Sequence, residues 1–447
     1  MTPPADGDRA WLERPLESGR AAGFGVYLHV PFCHHRCGYC DFATEAVGGL
    51  VDDERDHVMR RYVAALRTDL AAQAAARPWP RVTSVFVGGG TPTLLPPHLL
   101  AAVVGAVGEH LDLAPDAEVT VECNPETASE ATFAVLVAAG ADRVSMGAQS
   151  FDPGVLAVLE RRHRPERTAA AVAQARAAGI RRISLDLIYG TPGEDAASWR
   201  DSLAGVVALD VDHVSAYALG VHANTPLGRA VAAGTVPAPD DDVQRERYDE
   251  ARAVLAAAGY VQYEVANLAR GDAERSRHNV LYWRHGEYLG VGVGAHAHVD
   301  GRRWWTTRST ERYLAAHALG AGSVRDGDGR VPDLTGEELL DDDARALERV
   351  LLGLRLREGL HPRDVPPLDP VALEDAVAAG LVTGSCGRLQ ATEDGWFLLD
   401  EAVARLLGDG PRSATGRSEV ARVPRGPASG GDPAVGQRAP DQDRVAG

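Results

Sequence analysis

The sequence predicts an α/β fold built on a mainly parallel sheet, with a small helical domain at its C-terminal end. From about Gly25 to Val265, short β-rich runs alternate with runs of helical periodicity. Such alternation predicts parallel strands joined by right-handed crossovers. About seven repeats fit an open or complete (β/α) barrel. A doubly wound sheet is the competing arrangement, because periodicity alone does not distinguish the two.

The elements of this repeat follow one another in a regular order. We predict strands at Val26–Val30, Val82–Val87, Ala117–Glu122, Arg143–Met146, Arg182–Leu187, His213–Ala218 and Tyr260–Val265. Apolar side chains at helical spacing predict helices across Met59–Leu70, Trp199–Val206 and Ala251–Ala258.

The C-terminal part of the chain predicts a small helical domain with a winged-helix-like arrangement. Its predicted elements are helices at Leu347–Leu356 and Val371–Ala379, a turn at Gly384–Gly387, a strand near Arg388–Gln390 and a last helix from Trp396. The sequence therefore predicts five parts: a flexible N-terminus (1–22), a core (23–321), a linker (322–332), this small domain (333–408) and a disordered tail (409–447).

Composition excludes several classes of function. The chain has 447 residues, of which 45% are hydrophobic and 24% charged, as in a globular protein. All 46 basic residues are arginine, which excludes a Schiff-base lysine, a pyridoxal-phosphate anchor and a phosphate-binding loop that needs lysine. The net charge of -17 disfavours nucleic acid as the main partner.

The N-terminus and the cysteines predict a cytoplasmic location. The first 22 residues lack the basic start and apolar core of a secretory signal, and no run approaches the roughly 18 apolar residues of a membrane span. The five cysteines stand at positions 33, 37, 40, 123 and 386, and an odd number in a long chain argues against a disulfide framework.

Cys33, Cys37 and Cys40 form a cluster directly after the first predicted strand. Thiolates bind both iron–sulfur clusters and zinc. Zinc would require a fourth ligand, which His34 or His35 could supply, but zinc sites usually pair two separated knuckles and the sequence has no second one. Three thiolates on a cubane would leave one iron open, so the spacing favours iron–sulfur over zinc or a redox cluster.

This Cys-x-x-x-Cys-x-x-Cys pattern, with Tyr39 before its third cysteine, resembles the signature of the radical S-adenosylmethionine (SAM) superfamily. Further motifs follow the next four predicted strands, beginning at Gly88, Glu122, Gly147 and Asp186. All of them lie at the carboxyl ends of strands, the edge at which α/β proteins form their sites. The resemblance implies a partial or open (β/α) barrel of the radical SAM type.

The resemblance also implies a set of cofactor ligands. Cys33, Cys37 and Cys40 would ligate a [4Fe-4S] cluster, with the SAM amine and carboxylate on the open iron. The residues implied around SAM are Tyr27, Tyr39, Gly89, Gly90, Thr91, Glu122, Gln149, Arg161 and Asp186. The catalytic residues are not identified by these motifs.

Within the superfamily, the motifs resemble the branch of oxygen-independent coproporphyrinogen III oxidase and the haem chaperones of the HemW family. The oxidase carries an additional cysteine where this chain has Phe42, which resembles the chaperones. We therefore expect a haem chaperone that passes haem to an acceptor protein, and not a coproporphyrinogen dehydrogenase. The alternative is the oxidase, a radical SAM oxidative decarboxylase. Cluster reduction would imply a ferredoxin- or flavodoxin-type electron donor.

A second motif supports the expectation that the protein binds haem. The residues His278, Asn279, Tyr282 and Trp283 match a His-Asn-x-x-Tyr-Trp pattern associated with haem binding in HemW. Histidine is a common axial ligand of haem iron, and aromatic rings can cover a porphyrin face. Without the resemblance, the same pattern predicts that Tyr282 and Trp283 are core residues and that His278 is a buried histidine with hydrogen-bond partners.

Two stretches depart from the family pattern. The family's Gly-Arg-x-His is Glu160-Arg161-Arg162-His163 here, and a Gly-x-Gly-Ala-x-Ser motif ends in Ala297. The second departure includes His296 and His298, a His-x-His pair that could be a further haem or metal contact. A solvent-facing strand would show the same spacing.

Overall fold

The computed structural model describes residues 23–317, 334–361, 368–385 and 387–407. The predicted flexible N-terminus, linker and disordered tail, and Cys386, lie outside the described residues. Among those that are described, no helix combines the length and the apolar character needed to cross a membrane.

The described residues form sixteen strands and fourteen α-helices. The strands are β1 (Phe24–Val30), β2 (Phe32–Cys33), β3 (Glu45–Ala46), β4 (Val82–Gly89), β5 (Leu113–Cys123), β6 (Arg143–Gln149), β7 (Arg182–Tyr189), β8 (His213–Ala218), β9 (Val261–Gln262), β10 (Asn267–Ala269), β11 (Glu287–Val291), β12 (His296–Val299), β13 (Arg302–Thr306), β14 (Leu334–Leu339), β15 (Val382–Ser385) and β16 (Arg388–Ala391). The helices are α1 (Asp52–Ala76), α2 (Pro97–His110), α3 (Glu130–Ala138), α4 (Pro153–Val158), α5 (Pro165–Ala177), α6 (Ala196–Ala208), α7 (Pro226–Ala232), α8 (Asp241–Ala257), α9 (Arg277–Trp283), α10 (Thr310–His317), α11 (Asp342–Gly353), α12 (Pro370–Ala378), α13 (Glu393–Phe397) and α14 (Leu399–Leu406).

Twelve strands form one open sheet in the order β14-β13-β12-β11-β1-β4-β5-β6-β7-β8-β10-β9. Seven of them, β11, β1 and β4 to β8, are parallel, and all but β11 follow the order of the chain. Right-handed crossovers that advance in one direction place their helices on the same face of the sheet. The six parallel strands in chain order fit the open β/α barrel, and β11 pairs with β1 on the side away from β4.

The seventh predicted strand needs a correction. Within the predicted Tyr260–Val265, only Val261–Gln262 is a strand, and it pairs antiparallel with β10. The backbone N–H of Tyr263 donates to the Asn267 carbonyl (3.1 Å), so the chain folds back at once into a hairpin. Strand β10 lies between β8 and β9 and is antiparallel to both, so β9 runs in the direction of the parallel strands but pairs with none of them.

The two faces of the parallel sheet differ in chemistry because successive side chains of a strand point to opposite faces. On β7, Ile183, Leu185 and Leu187 are buried in the main apolar core. The alternate positions of the same strand carry Ser184 and Asp186. The polar face forms the barrel interior, and its upper edge holds the predicted site.

The C-terminal elements have an apolar core of their own. Residues of α11, α12, α14 and the β15–β16 hairpin share this second cluster, which includes Val350, Ala376, Leu389 and Val403. The indole N–H of Trp396 donates to the Leu354 carbonyl (3.0 Å) across it. Strand β14, however, pairs with β13 in the large sheet. The proposed division at residue 333 stays a prediction.

Candidate functional site

The loop between β2 and β3 carries the three clustered cysteines. Cys33 ends β2, and β2 pairs in parallel with β3, which closes the loop. Within the loop, the Cys40 N–H donates to the Cys37 carbonyl (3.1 Å), and the Arg36 guanidinium donates twice to the Cys40 carbonyl (3.2 and 3.0 Å). The three thiols are half-buried and free of disulfide bonds.

Burial favours the protonated form of two of these thiols. Burial raises the pKa of Cys33 to about 12 and that of Cys40 to about 11. Such thiols ionise when a metal binds them, because coordination replaces the proton. The Thr91 hydroxyl lies 3.8 Å from the Cys33 sulfur, and an Arg161 nitrogen lies 3.9 Å from the Cys37 sulfur. Three free thiols on one loop are a donor set that suits an iron–sulfur cluster.

The glycine loop after β4 packs directly on the cysteine loop. The Gly90 N–H donates to the Val30 carbonyl (2.8 Å), and the Thr91 N–H donates to the Phe32 carbonyl (2.7 Å). A Cβ at position 90 would lie 2.7 Å from the carbonyl oxygens of Pro31 and Phe32. At Gly89, φ is +114° and a Cβ would lie 2.4 Å from the His29 ring. Only glycine permits this close approach.

Glu122 and Asp186 bring two half-buried carboxyl groups to the barrel interior. The Gly89 N–H donates to Glu122 (2.8 Å), and the Ser145 hydroxyl donates to Asp186 (3.2 Å). Burial, reinforced by the charge of Asp186, raises the pKa of Glu122 to about 7. Burial also raises the pKa of Asp186 to about 6. These groups can accept from hydroxyl or ammonium groups of a ligand.

The raised pKa of Glu122 predicts a pH-dependent stability. A carboxyl whose pKa rises from 4.5 to about 7 on folding binds its proton more tightly in the folded state, so the free energy of unfolding falls as pH increases across that window. We expect Glu122→Gln, which does not titrate there, to flatten this fall. Urea unfolding of the cofactor-free protein at pH 5 and pH 8 measures it.

The exposed Glu246, whose side chain is 74% exposed, supplies the matched control. The Glu246→Gln variant should lose as much stability between the two pH values as the unmodified protein. An equal fall in Glu122→Gln would show that the Glu122 carboxyl keeps its ordinary pKa in the fold.

Arg161 is buried at the same edge of the sheet. Its side chain is 6% exposed and donates to the Asn124 amide oxygen and to the Gly147 carbonyl (both 2.9 Å). The Arg161 guanidinium therefore lies in the protein interior. From the sequence alone, an isolated arginine is expected at the surface. Its Nε has no hydrogen-bond partner among the described residues, although it is buried. That donor is available to a ligand in the site.

The remaining predicted SAM residues lie around this centre in different environments. The Tyr27 hydroxyl is 2.9 Å from His29 Nδ1, and its ring stacks on Phe86. Tyr39 packs against the small apolar cluster of Val155, Leu159, Ile188 and Leu219. Gln149 has a φ of +63° at an irregularity of the β6–β7 pairing. Strained non-glycine backbone of this kind concentrates at functional sites.

The first departure from the family pattern has structural consequences. Glu160 has a φ of +55°, a left-handed conformation that glycine adopts without strain. Its carbonyl accepts from His35 (2.6 Å), and a Cβ at Gly38 would lie 2.8 Å from its carboxylate. Glu160 therefore connects the loop between α4 and α5 to the cysteine loop.

Sequence reasoning missed several polar residues of the barrel interior. Ser215 lies directly opposite Asp186 in the β7–β8 register, and Asn124 holds Arg161. Ser145 contacts Asp186 from the neighbouring strand β6. The signal that could have found the two serines is the alternation of polar and apolar residues along their strands.

The predicted haem motif lies on α9, beneath the barrel interior. His278 is fully buried, with Nδ1 3.0 Å from the Ser84 hydroxyl and Nε2 2.9 Å from the Tyr282 hydroxyl. Burial lowers the pKa of His278 to about 3. Trp283 is buried under the Arg355 guanidinium, 4.2 Å from its ring, and the buried Asn279 amide oxygen has no hydrogen-bond partner among the described residues.

The chain matches known proteins over most of its length. Residues 27–204 match the family described as the radical SAM superfamily. The heme chaperone HemW of Mycobacterium tuberculosis is 44% identical over 388 residues, which are 86% of this chain and 95% of that protein. The mitochondrial radical S-adenosyl methionine domain-containing protein 1 of Bos taurus is 41% identical over 417 residues, covering 91% and 88%.

A solved structure shares the fold. It is the coproporphyrinogen III oxidase HemN of Escherichia coli, described as a radical SAM enzyme, with a TM-score of 0.72, 22% identity, and coverage of 90% of this chain and 92% of that one. At 22% identity this match shows a common fold. The family follows from the relatives that are more than 40% identical. The chain belongs to the HemW family of the radical SAM superfamily.

Proposed function

We propose that this protein is a haem chaperone that binds haem, a [4Fe-4S] cluster and SAM and transfers the haem to an acceptor protein. The observation that carries the proposal is the 44% identity to a protein named heme chaperone HemW, over 95% of that protein's length. Phe42, in place of the oxidase's additional cysteine, supports the chaperone over the oxidase.

In this proposal Cys33, Cys37 and Cys40 hold the cluster, which would supply one-electron chemistry and an open iron for SAM. The chain's own residues shape the site around it. Arg36 fixes the cysteine loop by donating to the Cys40 carbonyl, and Arg161 places a buried positive charge beside the Cys37 sulfur. That charge stabilises thiolate ligands.

The SAM ligand would occupy the edge between the glycine loop and the two interior carboxyl groups. The residues that we propose around it are Tyr27, Tyr39, Gly89, Gly90, Thr91, Glu122, Gln149, Arg161 and Asp186. Glu122 and Asp186 would accept from its hydroxyl or ammonium groups, and Arg161 would pair with its carboxylate. The glycines keep the backbone close enough for both loops to contact one ligand.

The other partners are also proposals. Haem would bind beside α9, with His278, Asn279, Tyr282 and Trp283 as the predicted motif. An acceptor protein would receive the haem, and a ferredoxin- or flavodoxin-type donor would reduce the cluster. The separate apolar core of the C-terminal elements supports a small domain suited to contact with such a partner. We also propose that the protein acts in the cytoplasm, without nucleic acid.

Anaerobic reconstitution, followed by haem titration and a coproporphyrinogen decarboxylation assay on the same sample, tests this function. We expect about four irons per chain, stoichiometric haem and no decarboxylation. Decarboxylated product from SAM and a low-potential reductant, without haem binding, would instead identify the oxidase. A reconstituted protein that contains zinc and no iron would contradict both the haem-chaperone function and the oxidase function.

A further inference from the structure

The motif histidine of α9 is poorly available to an iron. A haem ligand must present a ring nitrogen with a free lone pair. Both nitrogens of His278 lie within hydrogen-bond distance of a hydroxyl, one from Ser84 and one from Tyr282. The side chain is fully buried, and a Cβ at Gly25 would already lie 3.0 Å from its ring. Iron binding there would require α9 to leave the base of the barrel.

His296, at the start of β12, has the opposite properties. It is half-buried, and neither ring nitrogen has a hydrogen-bond partner among the described residues. Its ring stacks on Trp305, with centroids 5.6 Å apart and planes 23° apart, which fixes its orientation. Burial, together with the charges of Arg303 and Arg308, lowers its pKa to about 4. The imidazole is therefore neutral at pH 7, as iron ligation requires.

The face of the sheet around His296 offers the other contacts that a haem needs. His296 pairs with Trp305 and His298 pairs with Arg303, so the four side chains share one face of β12 and β13. Tyr288 is the cross-strand neighbour of His298. Half-buried aromatic rings can cover a porphyrin. The Arg303 guanidinium already pairs with Glu338 and Glu348, so Arg308, whose charge also acts on His296, is the cation that would pair with a propionate carboxylate.

This face also lies between the two regions already proposed to bind cofactors. Arg308 donates to the Asp41 carbonyl in the cysteine loop, and a Cβ at Gly294 would lie 2.8 Å from the Ala43 side chain. On the other side, the Tyr282 ring of α9 packs edge-to-face on Tyr288, with centroids 4.5 Å apart. The α9 motif therefore helps to build the wall of this region without presenting His278 to it.

We propose that His296 is the axial ligand of the haem iron, with Trp305 and Tyr288 supplying apolar surface for the macrocycle and Arg308 supplying a cation for a propionate. The proposal rests on the haem-chaperone function and assigns the ligand within it. In this arrangement His278 is a structural residue that holds α9 against Ser84.

Haem titration of His296→Ala and His278→Ala, followed by Soret absorption, tests the assignment. We expect His296→Ala to weaken haem binding by more than about tenfold, since even partners of metal ligands contribute that much. The exposed His98 of α2 supplies the matched control, and His98→Ala should bind haem as the unmodified protein does. Circular dichroism and thermal unfolding confirm that each variant is folded.

A spectroscopic signature separates ligation from an indirect effect. His296→Gly should regain a histidine-like Soret and visible spectrum when imidazole is added, and His296→Met should change the spectrum to that of a thioether ligand. Haem binding in His296→Ala equal to that of the unmodified protein would overturn the assignment. If folded His278→Ala loses haem binding and His296→Ala retains it, the axial ligand is His278 of α9. If the unmodified protein binds no haem, the chaperone function itself fails.

Discussion

The Cys33→Ala variant is expected to lose the iron–sulfur cluster completely. Cys33 ends β2, and its thiol is one of only three that the cysteine loop supplies. A cubane already ligated by three thiolates, with one open iron, would keep two protein ligands after the substitution. Anaerobic reconstitution followed by iron and sulfide determination, with the visible absorption spectrum, measures the loss.

Cys123→Ala is the matched control for this loss. Cys123 is also a free thiol, but its side chain is buried in the main apolar core, on the face of β5 opposite to Glu122. This variant should reconstitute with the same iron content as the unmodified protein. Full iron content in Cys33→Ala, or loss in Cys123→Ala alone, would contradict the ligand set proposed for the cysteine loop.

The second large effect is expected at the base of the barrel. Arg143 and Glu118 form an ion pair of 3.2 Å in which the two side chains are 1% and 0% exposed. Arg143 also donates to the carbonyls of Glu274 and Arg275, just before α9. Arg143→Met would leave a buried carboxylate without its main partner, which costs about 3–5 kcal/mol in free energy of unfolding. Urea unfolding with circular dichroism measures the change.

An exposed pair supplies the control. Arg81 and Asp112 form an ion pair of 2.8 Å with side chains 62% and 61% exposed. Because water screens such pairs, Arg81→Met should cost less than about 1 kcal/mol. Glu118→Leu combined with Arg143→Met should recover part of the loss, since no unpaired charge then remains buried. Equal effects of the two single arginine variants would show that the Arg143 pair contributes nothing beyond a surface pair.

The individual parallel strands and the cofactor edge could be predicted because they depend on local patterns, whereas the strand order could not be read from periodicity. The predicted strand His213–Ala218 is the observed β8, and β1 and β4 to β7 are extended versions of the predicted ones. The polar motifs after these strands meet at one edge because parallel strands end on the same side. The sequence did not show that β10 would lie between β8 and β9, because a run of residues does not show which neighbour it pairs with.

The roles of individual polar residues were much harder to predict. Arg161 alone resembles a surface residue, yet it is buried between Asn124 and Gly147. His278 has the sequence context of a haem ligand, whereas its ring is held by Ser84, 194 residues away in the chain. His296 belongs to a His-x-His pair in the sequence. Its stacking on Trp305 and the lack of hydrogen bonds to its ring among the described residues distinguish it from His298, whose Nδ1 lies 3.3 Å from the Gly286 carbonyl.

The sequence by itself determined the fold class, the cluster of three cysteines, the absence of lysine chemistry and the resemblance that the relatives confirm. These properties depend on residue types and short spacings, which are visible along one stretch of chain. The tertiary structure alone decided which carboxyl groups are half-buried, which arginine faces the cysteines and which histidine keeps its nitrogens available. Burial and hydrogen bonding depend on residues distant in sequence, because packing brings them together only in the folded chain.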